Sequence, residues 1–276
     1  MAKKIIGLNN GKVAIEFVMD LDSAFPADKW ILDAVQAGMS YEPDIGWLLM
    51  RALHPGDFAI DVGANVGFFT LMMAKLVGPE GKVLAVEPGP DNMKKLGSNL
   101  GLNNLVVTFE PRPLSDCEKT VNFYLSQDDS GGHALWPPER WPENVRTKNA
   151  NFPAVLGPAT TLDALASDAR EIRLIKLDVE GAETKVLEGA AKVLDWITPP
   201  FVIAELNWFG MEQMGTSQEE LRALMEGYGY STWLLRRDDG IPSLVPKKSL
   251  LKMPYIVNIL FATEDAVAEA WPEVLL

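Results

Sequence analysis

Ile60-Asp61-Val62-Gly63-Ala64-Asn65-Val66-Gly67-Phe68-Phe69-Thr70 follows the strand-like start Asp57-Phe58-Ala59 and runs into a helical pattern that extends to about residue 77. Twenty positions beyond Gly67 stands Glu87, which closes a second apolar run, Lys82-Val83-Leu84-Ala85-Val86. A strand, a glycine turn, a helix and a second strand tipped by an acid open a nucleotide-binding α/β unit. Three residues separate Gly63 from Gly67, so the G-x-G-x-x-G fingerprint that serves a pyrophosphate is absent. The turn points to a nucleoside ligand without a pyrophosphate. S-adenosylmethionine is such a ligand.

Each residue of this unit has a chemical reading and a plain one. Gly63 permits a tight turn, and Gly67 lets the helix approach the strand or a ligand. The helix N-terminus offers N–H groups to a methionine carboxylate. Asp61 ends its strand where ligands collect in open α/β sheets and can counter an ammonium group. Glu87 can accept hydrogen bonds from both ribose hydroxyls. The plain readings are an ordinary strand–helix connection and a solvated strand end.

The rest of the chain repeats the alternation. Apolar positions at Ile45, Leu48, Leu49 and Leu53 have helical spacing, and His54-Pro55-Gly56 stops that helix. A helix after Pro88-Gly89-Pro90, a strand at 105–109 and a further strand at 121–125 follow. A fourth central strand is expected at 172–177, a helix from about Ala182 to Trp196, and a fifth strand at 201–206. A helix from Gln218 to Tyr228 and strands near 231–236 and 255–261 complete the pattern. The apolar runs are continuous, as in parallel strands covered on both faces. The fold class is therefore α/β, a doubly wound and mainly parallel seven-stranded sheet with an antiparallel edge strand. Residues 1–40 read as an N-terminal cap or hairpin, and 41–276 as the main domain. Within it, 127–159 reads as an irregular lid or acceptor-binding insertion.

The chain has 276 residues, is 47% hydrophobic and carries a net charge of −13. That charge repels nucleic acid and anionic membrane surfaces at long range. Cys117 is the sole cysteine, which rules out an internal disulfide and a thiolate metal cluster. No apolar stretch has the length of a membrane span or a signal-peptide core, so a cytoplasmic location is expected. The apolar end Val274-Leu275-Leu276 can pack on its own domain or on a second copy, which leaves a homo-oligomer possible.

Catalytic candidates stand further along. Asp178 falls at the end of the fourth strand, where a carboxylate can take the proton of an acceptor hydroxyl or hold a divalent cation that acidifies it. Capping the following helix is its plain alternative. Glu180 and Glu183 read as first-turn acids that complement a helix dipole. Glu205 ends the fifth strand and either binds substrate, completes a metal site with Asp178, or merely caps the sheet. His133, in the irregular segment, has the side chain suited to a general base near neutral pH, or is an exposed loop residue. His54 reads as structural. Trp136, Trp141 and Trp208 are stacking platforms or core anchors. Ser115 and Asp116, after the third strand, are candidates for the adenine edge.

Several of these motifs together resemble the FkbM-type methyltransferases. They are Tyr41-Glu42-Pro43, Gly56-Asp57 with Asp61 to Gly67, Val86-Glu87-Pro88, Leu114-Ser115-Asp116 and Thr161-Leu162-Asp163-Ala164-Leu165. The most specific is Ile175-Lys176-Leu177-Asp178-Val179-Glu180-Gly181-Ala182-Glu183, backed by Val186-Leu187-Glu188-Gly189-Ala190. The resemblance covers about residues 41 to 210. It implies a class I, Rossmann-like methyltransferase fold, S-adenosyl-L-methionine as donor with S-adenosyl-L-homocysteine as product, and O-methylation of a sugar or natural-product hydroxyl. Mapped on these motifs, the cofactor residues are Glu42, Asp61, Gly63, Asn65, Gly67, Glu87, Ser115, Asp116 and Asp178. The acceptor-binding parts resemble nothing recognisable. A cofactor-binding protein without turnover and an N-methyltransferase stay open as alternatives; an NAD-dependent oxidoreductase is opposed by the missing fingerprint, and a nucleic-acid methyltransferase by the charge.

Overall fold

A computed structural model describes residues 2–126, 131–140, 153–169, 171–196, 200–252 and 256–274. The chain opens with an antiparallel hairpin of β1 (Ala2–Asn9) and β2 (Ala14–Leu21). Helices α1 (Pro26–Gln36) and α2 (Pro43–Ala52) lead into the central strands β3 (Phe58–Val62), β4 (Lys82–Val86) and β5 (Thr108–Glu110). Between them run α3 (Phe68–Val77) and α4 (Pro90–Leu102). A two-stranded ribbon, β6 (Lys119–Tyr124) with β7 (Ala154–Ala159), stands apart from the main sheet. The sheet continues with β8 (Leu174–Leu177), β9 (Phe201–Leu206), β10 (Ser231–Leu235), β11 (Pro242–Leu244) and β12 (Val257–Ala262).

The strand order is β11-β10-β12-β9-β8-β3-β4-β5. Strands β5, β4, β3, β8 and β9 are parallel, and β12 runs antiparallel to both β9 and β10. This is the doubly wound class I methyltransferase sheet, with the short β11 added antiparallel at its edge. Alternate residues of each central strand enter opposite apolar layers. Ala59, Val83, Ala85, Leu174 and Ile203 face the layer that holds the hairpin, α2 and α3; Ile60, Val62, Leu84, Ile175 and Val202 face the other. Burial on both faces is why these strands read as continuous apolar runs rather than as alternation.

The hairpin packs Phe17, Met19 and Leu21 into the first layer. The free edge of β2 is met by Asn99 of α4 and by Asn103, its C-cap: Asn103 Oδ1 accepts from Val18 N (2.8 Å) and its Nδ2 donates to Val18 O (2.7 Å), while Asn99 Oδ1 accepts from Asp20 N (2.9 Å). Strand-edge amides are thus satisfied by side chains in place of another strand.

Several elements differ from the sequence reading. The third strand sits at 108–110, later than 105–109. The helix expected from Ala182 to Trp196 is split into Glu183–Glu188 and Ala191–Leu194. The break falls at Gly189, where a Cβ would lie 2.2 Å from Ser115 O, so the backbone there has to pass the 113–116 loop. Helix α1 and a C-terminal helix, Glu264–Ala270, carry no strong sequence signal. Within 127–159, Ala154–Ala159 is a paired strand whose short apolar core, Val155-Leu156, is hidden between prolines and glycine; residues 127–130 and 141–152, with Trp141, lie outside the described residues. Among the described residues no helix is long and apolar enough to cross a membrane.

Candidate active site

The C-terminal ends of β3, β4, β8 and β9 open onto a cavity of about 330 Å³. Open α/β sheets bind ligands at this edge because the strand tips and the helix N-termini converge there. Its floor is the glycine turn. Gly63 takes φ +78°, and a Cβ there would lie 1.8 Å from the backbone O of Asp178, so only glycine lets β3 turn this close to β8. Gly67, at φ +94°, caps α3 and faces Leu96 of α4, not the cavity.

Glu87 is the best-organised group in the cavity. Its Oε1 accepts from Gly89 N (2.7 Å) and Asn92 Nδ2 (3.5 Å), and its Oε2 accepts from Asn65 N (2.7 Å). Only 4% of the residue is exposed, and burial pushes the carboxyl up to about 7 against the pull of these donors. Oε2 keeps a lone pair for a further donor, while Oε1 already takes two, the Asn92 one at a long 3.5 Å, so a vicinal diol would bond Oε2 and take over the Asn92 position on Oε1. Asn65, at φ +49°, also lines the cavity, and its buried Oδ1 has no hydrogen-bond partner. Val62, Val86, Leu114 and Phe123 supply apolar wall beside this polar end.

The other end is acidic. Glu42, Asp178, Glu180 and Glu205 all line it. Burial first, and then Asp178, raise Glu42 to about 7; burial, Asp178 and Glu180 hold Glu205 well above the usual carboxylate range. Tyr41 hydrogen-bonds Glu42, and burial raises its hydroxyl further above its ordinary value. Behind them lies Lys176, 2% exposed, with Nζ 3.0 Å from Asp178 Oδ2 and 3.9 Å from Asp61 Oδ1. Burial alone would lower this ammonium, but Asp178, Asp61 and Glu42 outweigh it and raise the group. A fixed cation beneath a ring of carboxylates leaves the end negative, suited to ligands bearing ammonium or sulfonium charge.

The other residues singled out in the sequence fall in different places. Asp61 lies outside the cavity lining: it is the register partner of Lys176, and its Oδ2 accepts from Thr70 Oγ1 at 2.5 Å. Ser115 is buried and donates to Asp116 Oδ1 (3.0 Å), which also takes Lys119 Nζ (2.5 Å). That lysine holds Asp116 down to about 2. Neither residue lines the cavity, and Pro113 and Leu114 of the same loop do. Asp178 does not cap a helix, because the N-cap of Glu183–Glu188 is Ala182. Glu180 precedes that helix in a left-handed turn (φ +54°) and reaches the cavity instead of a first helical turn. Trp136 is a buried anchor whose Nε1 donates to Glu180 O (2.6 Å).

His133 lines the cavity at the Glu87 end. A side chain at Gly89 would strike both the His133 ring and Glu87 Oε1. Its Nδ1 accepts from Ser126 N (3.0 Å), and burial lowers the ring to about 4. The neutral ring therefore carries its proton on Nε2 and has no open lone pair. This corrects the reading of His133 as a general base: it is placed as a donor. Sequence reasoning also missed Lys176, although a lysine inside a doubly buried strand was a visible signal, and Trp30, 58% exposed at the cavity wall.

Residues 61–232 match the model of the methyltransferase FkbM domain. The chain belongs to the FkbM methyltransferase family. A similar protein, methyltransferase sdnD of Sordaria araneosa, is 30% identical over 196 residues, covering 63% of this chain and 73% of that protein. The 31-O-demethyl-FK506 methyltransferase FkbM of Streptomyces tacrolimicus is 27% identical over 202 residues, covering 65% and 74%. A solved S-adenosylmethionine-dependent O-methyltransferase from Thermotoga maritima overlays with a TM-score of 0.45 at 14% identity, covering 94% of this chain and 77% of that one. The chain is an S-adenosylmethionine-dependent methyltransferase, and its cavity fits the donor: a diol acceptor at Glu87, an orphaned amide oxygen at Asn65 and a negative end for the charged sulfonium.

One titration follows from Glu87. If the ribose hydroxyls of the donor are held by Glu87, they donate to its ionised form, so below about pH 7 a proton must leave before the nucleoside binds. S-adenosylhomocysteine is expected to bind about tenfold more weakly at about pH 6 than at about pH 8. Calorimetry at the two pH values measures it, and proton release near neutrality confirms the sign.

Proposed function

We propose that this FkbM methyltransferase O-methylates a hydroxyl of an uncharged, polyhydroxylated small molecule, a sugar or a natural product. Asp178 carries the reading: it lies in the cavity lining at the end of β8, with Lys176 fixing one of its oxygens and the other end of the cavity committed to the nucleoside. S-adenosylmethionine supplies an electrophilic methyl group when bound. The acceptor oxygen forms the new C–O bond, the sulfur keeps the electron pair of the broken C–S bond, and the hydroxyl proton passes to a carboxylate. Asp178 is the group placed to receive it. Alignment of the hydroxyl with the methyl in the cavity does much of the rest.

Chemistry and kinship support the same direction. Four carboxylates disfavour an anionic acceptor, and the cavity is small. The Streptomyces tacrolimicus relative is named for methylation at an oxygen. The net charge of −13 opposes nucleic-acid and anionic-membrane partners. A cytoplasmic enzyme, alone or as a homo-oligomer, with residues 1–40 as a cap and part of 127–159 as a lid, completes the reading.

The test is product analysis. The enzyme is given methyl-labelled S-adenosylmethionine and a panel of neutral polyols, glycosides, phenols, amines and carboxylates. A methyl ether is expected; an N-methyl or ester product contradicts the proposal. His133→Ala is expected to raise the KM for the methyl donor about three- to tenfold, as loss of one hydrogen bond, with kcat unchanged. A fall in kcat at saturating donor would return His133 to the chemical step.

A further inference from the structure

We propose that Asp178, Glu180 and Glu205 together bind a divalent metal ion of the hard, oxygen-preferring kind, magnesium or manganese. One carboxylate oxygen from each residue lies within 4.8 Å of the other two. The three come from two pieces of backbone: Asp178 and Glu180 from the turn that follows β8, and Glu205 from β9. Leu177 and Ala204 are register partners in the parallel pair β8–β9, which brings Asp178 and Glu205 side by side. The turn that carries Glu180 is pinned by Glu183, whose Oε1 accepts from Val179 N (3.1 Å) and Gly181 N (3.3 Å).

Glu205 supplies the independent sign of a missing ligand. Its Oε2 is shut off from solvent, belongs to the cavity wall, and has no hydrogen-bond partner. A buried carboxylate oxygen without a donor is costly, and either a proton or a cation relieves it. Lys176 gives its hydrogen bond to Asp178 Oδ2 and its second charge contact to Asp61. The other two acids are held from outside, as ligands to a metal commonly are: Lys176 fixes Asp178, and Asn207 Nδ2 donates to Glu180 Oε2 at 2.6 Å.

The donor set decides the class of ion. Three carboxylates with no thiolate or imidazole among them suit magnesium or manganese and disfavour zinc or copper. Such ions keep several coordination positions for water or substrate oxygens, so two neighbouring hydroxyls of an acceptor can complete the shell. The role in methyl transfer rests on the O-methylation reading above, with Asp178 then holding the ion that would acidify the hydroxyl instead of itself taking the proton; the binding of the ion does not rest on it.

Manganese alone, added to the purified full-length chain and followed by electron paramagnetic resonance, tests the site. One ion per chain is expected, displaced by excess magnesium. Glu205→Gln and, separately, Glu180→Gln should weaken it on the order of tenfold or more. Binding of S-adenosylhomocysteine, measured on the same samples, shows that each variant retains its nucleoside site. A wild-type chain that binds S-adenosylhomocysteine but no manganese overturns the metal site and leaves the methyltransferase reading intact. Manganese binding unchanged in both variants also overturns it. Manganese bound and lost as described, without nucleoside binding, supports the site and removes the O-methylation reading instead.

Discussion

Gly63→Ala is expected to lose about 3–4 kcal/mol of stability, the sum of a left-handed backbone position and an overpacked contact. The methyl group would meet the Asp178 carbonyl at 1.8 Å, and that carbonyl belongs to the backbone at the tip of a central strand. Neither partner can move without opening the β3–β8 pairing that holds Asp178 N to Val62 O at 3.0 Å. For a chain of this size the loss lowers the melting temperature by roughly 10 °C. Gly67→Ala is the informative comparison. There the clash is with Leu96 Cδ1, the end of a flexible side chain, so the expected loss is about 1–2 kcal/mol. Equal effects at the two glycines would show that the close approach of β3 to β8 does not set the turn.

Asp178→Asn is expected to lower turnover by about 10²- to 10⁴-fold, the usual worth of a positioned proton acceptor. The amide keeps the shape of the side chain but cannot take the hydroxyl proton, and it leaves Lys176 with a weaker partner. Lys176→Met probes the second contribution: with Nζ gone, Asp178 loses the contact at 3.0 Å that orients it, and Asp61 loses its nearby cation as well. Its effect should be smaller and should appear as a shift in the pH profile as well as in kcat. Turnover by Asp178→Asn within a few-fold of wild type would take the proton-accepting role away from Asp178.

The fold was legible because its signals are local and repeated. Continuous apolar strands alternating with helices state a doubly wound sheet, and Gly63 with Glu87 marks the strand tips that open onto the cavity. What escaped was non-local. Nothing within Pro26–Gln36 says that this helix will bring Trp30 to the cavity wall, and β7 has only two large apolar residues, set between Pro153 and Gly157-Pro158, to announce it. Asp61, Ser115 and Asp116 carry the right chemistry at the right strand ends, yet Thr70 and Lys176 engage the first while Lys119 engages the last. Sequence spacing places a side chain near a strand tip; the neighbours that turn it into or away from the cavity come from other strands and helices. His133 illustrates the same limit, since its protonated nitrogen is chosen by the backbone of Ser126.

Calorimetry with S-adenosylhomocysteine on the wild-type chain, Glu87→Gln and Glu87→Ala tests the central claim most directly. The account predicts saturable binding by the wild type and a loss of at least about 100-fold in Glu87→Ala, as two hydrogen bonds to a charged group disappear. Glu87→Gln should fall between them, because it retains one acceptor oxygen. Wild-type binding that survives Glu87→Ala undiminished would contradict the placement of the nucleoside, and no binding by the wild type would contradict the account as a whole.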